Sequence, residues 1–197
     1  MAYLYAAGRA GADLTALPEQ FRGAPGQAKA GGTSWPAEPL DGPTITAVAA
    51  VARRFNMYVV APIRELEPAT GRQYNTAVLL GRQGEVVGRY RKMFPVVGAP
   101  PPHPPLGPGS EVGVTPGLDG MPVFNTDIGR LAIITCFDVN FVELWASAAA
   151  QQADIVVWPS AMVLPDMTSH ALARIHHFAV VGVRKIPASA ATPPHHP

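Results

Sequence analysis

RLAIITCFDVNFVELWASAAAQQADIVVWPS, residues 130–160, is the stretch on which the fold turns. After its leading arginine, the run over residues 130–135 is apolar and ends in a β-branched threonine, as a short buried strand does. Residues 141–152 then place apolar side chains at helical spacing, and residues 153–159 return to an Ile, Val and Trp run closed by proline. Strand, helix and strand in direct succession build a sheet with a helix packed on one face.

The same alternation extends outward. Residues 2–11 read as a helix stopped at Gly11, and residues 12–17 as a short strand. Thr44 is expected to cap a helix over residues 45–55 that Asn56 closes, and residues 57–63 form the next strand. Residues 75–81 and 85–92 flank turn residues 82–84 and predict a hairpin. Residues 122–126 pair with 130–135 through the turn at 127–129, and a helix over 169–178 runs into a last strand over 179–183. The pattern is that of an α/β layered domain.

Proline punctuates this order. Six of the 22 prolines fall in GAPPPHPPLGPG, residues 98–109, where the missing N–H groups and fixed φ leave only a loop. Residues 186–197 carry no apolar period and read as a disordered Pro/His-rich tail behind one domain over residues 1–185. No internal repeat is found.

Composition excludes several classes of function. With 197 residues, 48% hydrophobic and 15% charged, the chain can bury one sizeable core. A net charge of +1 without long runs of either sign argues against nucleic-acid binding and a polybasic membrane patch. Apolar stretches stay well short of the roughly 18 residues a membrane span needs, so no membrane partner is expected. No secretory signal is recognised at the N-terminus, and one cysteine makes an intramolecular disulfide impossible; a cytoplasmic protein is the expectation.

Cys136 lies between a strand end and a helix start, where unsatisfied N–H groups should lower a thiol pKa and favour a nucleophile; the alternative is simple core filling. Histidine is the usual proton carrier for cysteine, but no motif pairs His103, His170, His176, His177, His195 or His196 with it. Metal ligation has weaker support still. Ser160 sits in WPSAM and not in a Gly-x-Ser-x-Gly elbow, and Gly107, Gly109 and Gly113 miss the dinucleotide fingerprint. Glu19, just beyond one strand, and Lys92, closing another, occupy the same topological position as Cys136. Ligands collect at strand carboxyl ends in layered α/β proteins, so the three could meet there, the carboxylate moving the thiol proton and the ammonium stabilising an oxyanion. Each taken singly also fits a solvated residue at a strand end.

LPEQF around Glu19, YNTAVLLGRQGEVVGRYRK up to Lys92, and GRLAIITCFDVNFVELW around Cys136 resemble the three motifs of the carbon–nitrogen hydrolase (nitrilase) superfamily. The likeness continues through GVTPG, PVFNTDIGR and ADIVVWPSA, over most of residues 10–183. It implies an αββα four-layer sandwich and a Glu-Lys-Cys triad. Cys136 would attack an amide or nitrile carbon, Glu19 would serve as general base and acid, and Lys92 with the Phe137 N–H would hold the oxyanion. Glu111 would position the substrate amide and Lys92. Asp138 and Glu143 match positions that look structural, and Asn75 a supporting place in the sheet.

The resemblance further implies a small-molecule amide substrate, a homodimer or higher homo-oligomer, and neither metal nor organic cofactor. The chain begins inside what would be the family's first helix and ends before its last strands, so a member incomplete at both termini is expected. Val142 stands where the family commonly has proline. An inactive interaction module, a nitrile hydrolase and an acyltransferase of the same superfamily are the alternatives to an amidohydrolase.

Overall fold

A computed structural model of the chain describes residues 1–22, 36–96, 111–161 and 167–184. The proline-rich segment 98–109, the tail 186–197 and most of the loop over 23–43 lie outside the described residues. The elements are α1 (Ala2–Arg9), β1 (Leu14–Ala16), α2 (Pro43–Phe55), β2 (Tyr58–Leu66), β3 (Gln73–Leu80) and β4 (Val86–Arg91). There follow β5 (Val123–Thr126), β6 (Gly129–Ile133), a 3-10 turn (Cys136–Asn140), α3 (Val142–Ala150), β7 (Ile155–Ser160), α4 (Met167–His176) and β8 (Ala179–Arg184).

The strands make two four-stranded sheets, ordered β1-β2-β3-β4 and β5-β6-β7-β8. β1 runs parallel to β2, and β2, β3 and β4 are antiparallel; β5 is antiparallel to β6, and β6, β7 and β8 are parallel. Strand alternation then separates two cores. Val59, Ala61 and Ile63 of β2 with Val78 and Leu80 of β3 pack under Ile45, Val48, Val51 and Ala52 of α2. Their neighbours Val60, Ala77 and Leu79 join the other core, with Leu131, Ile133 and Val157 and with Leu144, Trp145 and Leu172 from α3 and α4. The result is the expected αββα order. Among the described residues no helix is long and apolar enough to cross a membrane.

Two local expectations need correction. Thr44 does not cap α2: the helix begins at Pro43 after Gly42, and the Thr44 N–H donates to Oε2 of the buried Glu38 at 3.0 Å. A carboxylate six residues upstream thereby satisfies a first-turn donor. β2 runs past Ile63 to Leu66 because its charges are buried in pairs. Glu65 accepts two bonds from Arg91, at 2.6 and 2.9 Å, and one from the Thr76 hydroxyl at 2.6 Å. Asn56, by contrast, closes α2 as expected, in the left-handed region at φ 52°.

The spacing of the two sheets depends on Gly88 in β4. A Cβ at that position would lie 2.2 Å from the Phe124 ring on β5, in the facing sheet. Gly88→Val should destabilise the chain by about 1–3 kcal/mol through overpacking, read as a lower denaturant midpoint. An unchanged midpoint would show that the sheets can part there without penalty.

Candidate active site

The carboxyl ends of strands from both sheets bring four polar side chains into one buried cluster. Glu19 follows β1, Lys92 follows β4, Cys136 follows β6 across two residues, and Glu111 opens the described segment over 111–161. None of the four is more than 2% exposed. Such burial of charged groups is tolerated only where partners are close.

Lys92 supplies the pairing. Its Nζ donates to Oε1 of Glu19 at 3.0 Å and to Oε2 of Glu111 at 2.7 Å. Burial pulls the ammonium pKa down, but the two carboxylates and the nearby Cys136 more than offset this, and the net shift is upward. Asn75, on the neighbouring strand β3, closes the ring: its Nδ2 donates to Glu19 Oε1 at 2.7 Å and to Glu111 Oε1 at 2.6 Å. The Asn75 main-chain carbonyl also accepts from the Lys92 N–H at 2.8 Å. Main-chain donors complete the carboxylates, Ala161 N–H to Glu19 Oε2 at 3.1 Å and Val96 N–H to Glu111 Oε2 at 2.6 Å.

Cys136 opens the 3-10 turn with φ 46°, a left-handed conformation that a side-chain-bearing residue adopts at a cost. The Trp158 indole N–H donates to its carbonyl at 3.1 Å, which helps to hold this backbone in place. The thiol lies within hydrogen-bonding reach of Glu19 and Ser160. Here the sequence expectation is reversed: burial, followed by the Glu19 charge, pushes the thiol up to about 12, against smaller opposing effects of Lys92 and Ser160. The turn's N–H groups do not outweigh desolvation. At neutral pH the resting sulfur is a thiol.

Phe137 comes next in the turn, where first-turn N–H groups lack partners within the helix. Its ring meets Phe141 edge-on at 5.8 Å between centroids, and Phe141 stacks on Phe94 at 3.5 Å. Glu143 is exposed in the first turn of α3, where a negative charge suits the helix dipole.

Sequence reading missed Ser160 and the donors of Ala161 and Val96. Ser160 had one usable signal: it closes β7, the parallel neighbour of β6, and so ends beside Cys136. Backbone donors carry no residue signature at all.

A family model described as carbon-nitrogen hydrolase matches residues 1–184. Among curated proteins, β-ureidopropionase of Arabidopsis thaliana is 33% identical over 64% of this chain and 30% of its own length. N-carbamoylputrescine amidase of Solanum lycopersicum is 30% identical over 64% of this chain and 39% of its own. The matched region is thus well under half of either relative. Among solved structures, Saccharomyces cerevisiae Nit3, a member of the nitrilase superfamily, superposes with a TM-score of 0.75 at 21% identity, covering 97% of this chain and 72% of its own. That likeness is one of fold.

Proposed function

The chain belongs to the carbon–nitrogen hydrolase family, and from that premise we propose that it is a cysteine amidohydrolase. It cleaves the non-peptide C–N bond of a small linear amide or N-carbamoyl amine through a thioester and releases ammonia. The observation that carries this reading is the buried ring in which Lys92 bridges Glu19 and Glu111 beside the Cys136 thiol. The substrate class leans on the relatives, whose names specify a ureido acid and an N-carbamoyl amine.

The chemistry follows from the proton positions. Sγ of Cys136 attacks the carbonyl carbon as its proton passes to Glu19, which avoids free thiolate in a site that holds the thiol pKa near 12. The carbonyl oxygen gains negative charge, and the Lys92 ammonium with the Phe137 N–H stabilises it. Glu19 returns the proton to the departing nitrogen, the C–N bond breaks, and ammonia leaves a thioester on Cys136. Glu19 then takes a proton from water, the hydroxyl adds to the thioester carbon, and collapse restores the thiol and frees the acid. Glu111 keeps Lys92 oriented and accepts from the substrate N–H groups. A homodimer and a cytoplasmic location belong to the same proposal, and light scattering of the purified chain tests the dimer.

Ammonia release from a panel of N-carbamoyl amines and short amides tests the activity. Wild type should turn over at least one compound, and Glu19→Gln should lose ~10³-fold or more in kcat/KM. If no compound is cleaved, the amidohydrolase reading is wrong.

A further inference from the structure

We propose that Asp138 is a positioning residue for this site: its carboxylate clasps the loop that carries Lys92 to the turn that carries Cys136, and so holds ammonium and nucleophile in register. The inference rests on the amidohydrolase reading for its link to turnover. Asp138 lies two residues beyond Cys136 in the 3-10 turn and is fully buried. Its Oδ2 accepts from the Tyr90 hydroxyl at 2.5 Å and the Met93 N–H at 3.2 Å, and its Oδ1 accepts from the Phe94 N–H at 2.9 Å. These donors stand on both sides of Lys92, one before it in β4 and two just after it. All three bonds cross from the first sheet's chain to the second's.

The acceptor has to be a carboxylate. Main-chain N–H groups can only donate, and an ionised carboxylate only accepts, with room for all three bonds. An asparagine would set its amide hydrogens against at least one of these donors. Such an arrangement is also sensitive to protonation. Burial pushes the Asp138 carboxyl up to about 6, and the Tyr90 bond, the Lys92 charge and the Phe94 and Met93 amides keep it from going higher. The titratable groups that act on it among the described residues are Tyr90 and Lys92. Both are shifted upward, Tyr90 by burial and by Asp138 itself, so both keep their protons through the neutral range. Asp138 is therefore the member of this trio that titrates near neutrality.

The sign separates positioning from mere structure. A carboxyl whose folded pKa lies above its ordinary value favours folding more when protonated. The Asp138 contribution to stability thus grows as pH falls from about 7 to about 4, while the clasp weakens as its charge is lost. Acid should cost this site reactivity at the same time as this group favours the fold.

The test is the pH dependence, from 4.5 to 8, of Cys136 alkylation by iodoacetamide in wild type, Tyr90→Phe and Asp138→Asn, with melting temperature followed at each pH. Where wild type cleaves an amide, kcat/KM is measured alongside. Wild type should show an inflection near 6, an acid limb superposed on the rise with pH that a thiol held up to about 12 gives by itself. Tyr90→Phe removes a bond that holds the carboxyl down, and should move that limb up by about one pH unit. Asp138→Asn should abolish the limb and lower the rate at pH 8 ~10- to 100-fold. A folded Tyr90→Phe whose limb stays in place, or an Asp138→Asn that keeps the wild-type limb, overturns the proposal. If Asp138→Asn does not fold, the Tyr90→Phe arm decides alone. The alkylation pattern without cleavage of any amide would sink the hydrolase reading and leave the clasp standing.

Discussion

Lys92→Met will lose both activity and stability, the latter by about 3–5 kcal/mol at pH 7, because it leaves buried charge without its partner. Glu19 and Glu111 both accept from the Lys92 ammonium and from the Asn75 amide. Without the ammonium the site holds two carboxylates in a space from which water is largely excluded. One result would identify this cause. The double variant Lys92→Met/Glu111→Gln should be more stable than Lys92→Met alone, measured by urea denaturation. If the single variant unfolds at the wild-type midpoint, the ring is not an energetic unit.

Cys136→Ala should show the opposite balance. On the proposed mechanism turnover should fall at least ~10⁴-fold, since the thioester forms on the Cys136 sulfur. Stability should change by no more than about 1 kcal/mol. The thiol is held up to about 12 and is uncharged at neutral pH, so its removal takes no charge from the ring. Alanine keeps the Cβ and with it the strain of the left-handed backbone at φ 46°. Ammonia release and a melting curve on the same preparation check both halves of this expectation. Full turnover by Cys136→Ala would remove the covalent mechanism.

Glu19, Lys92 and Cys136 were legible because charged and nucleophilic residues that end apolar strands break the pattern of their surroundings, whereas Glu111 and Asn75 were reached only through resemblance. Their order along the chain supplied the rest through resemblance to a known family. The α/β class was readable from periodicity, since the apolar residues of α2 and of β2 and β3 fall at the spacing of the faces they bury. What escaped depends on distance in space. The Cys136 environment was read from the helix that follows it, whereas burial between two sheets and a carboxylate arriving from Glu19 decide its pKa. β2 was read as ending at its first charge, although Arg64 and Glu65 are buried within it. The cap on Thr44 comes from Glu38, and nothing local to Thr44 reports that.

The two sheets are built from separate stretches of chain. β1 to β4 lie between Leu14 and Arg91, β5 to β8 lie between Val123 and Arg184, and neither sheet borrows a strand from the other. Glu19, Asn75 and Lys92 travel with the first stretch, and Cys136 and Ser160 with the second. During synthesis the Cys136 sulfhydryl therefore emerges after Glu19 has already been laid down, yet on a layer that has not docked. Until the layers close, it is an ordinary cysteine with no base beside it. Closure buries the sulfur and pushes its pKa up to about 12, so the loss of its ordinary reactivity toward a general thiol reagent reports that both layers have come together.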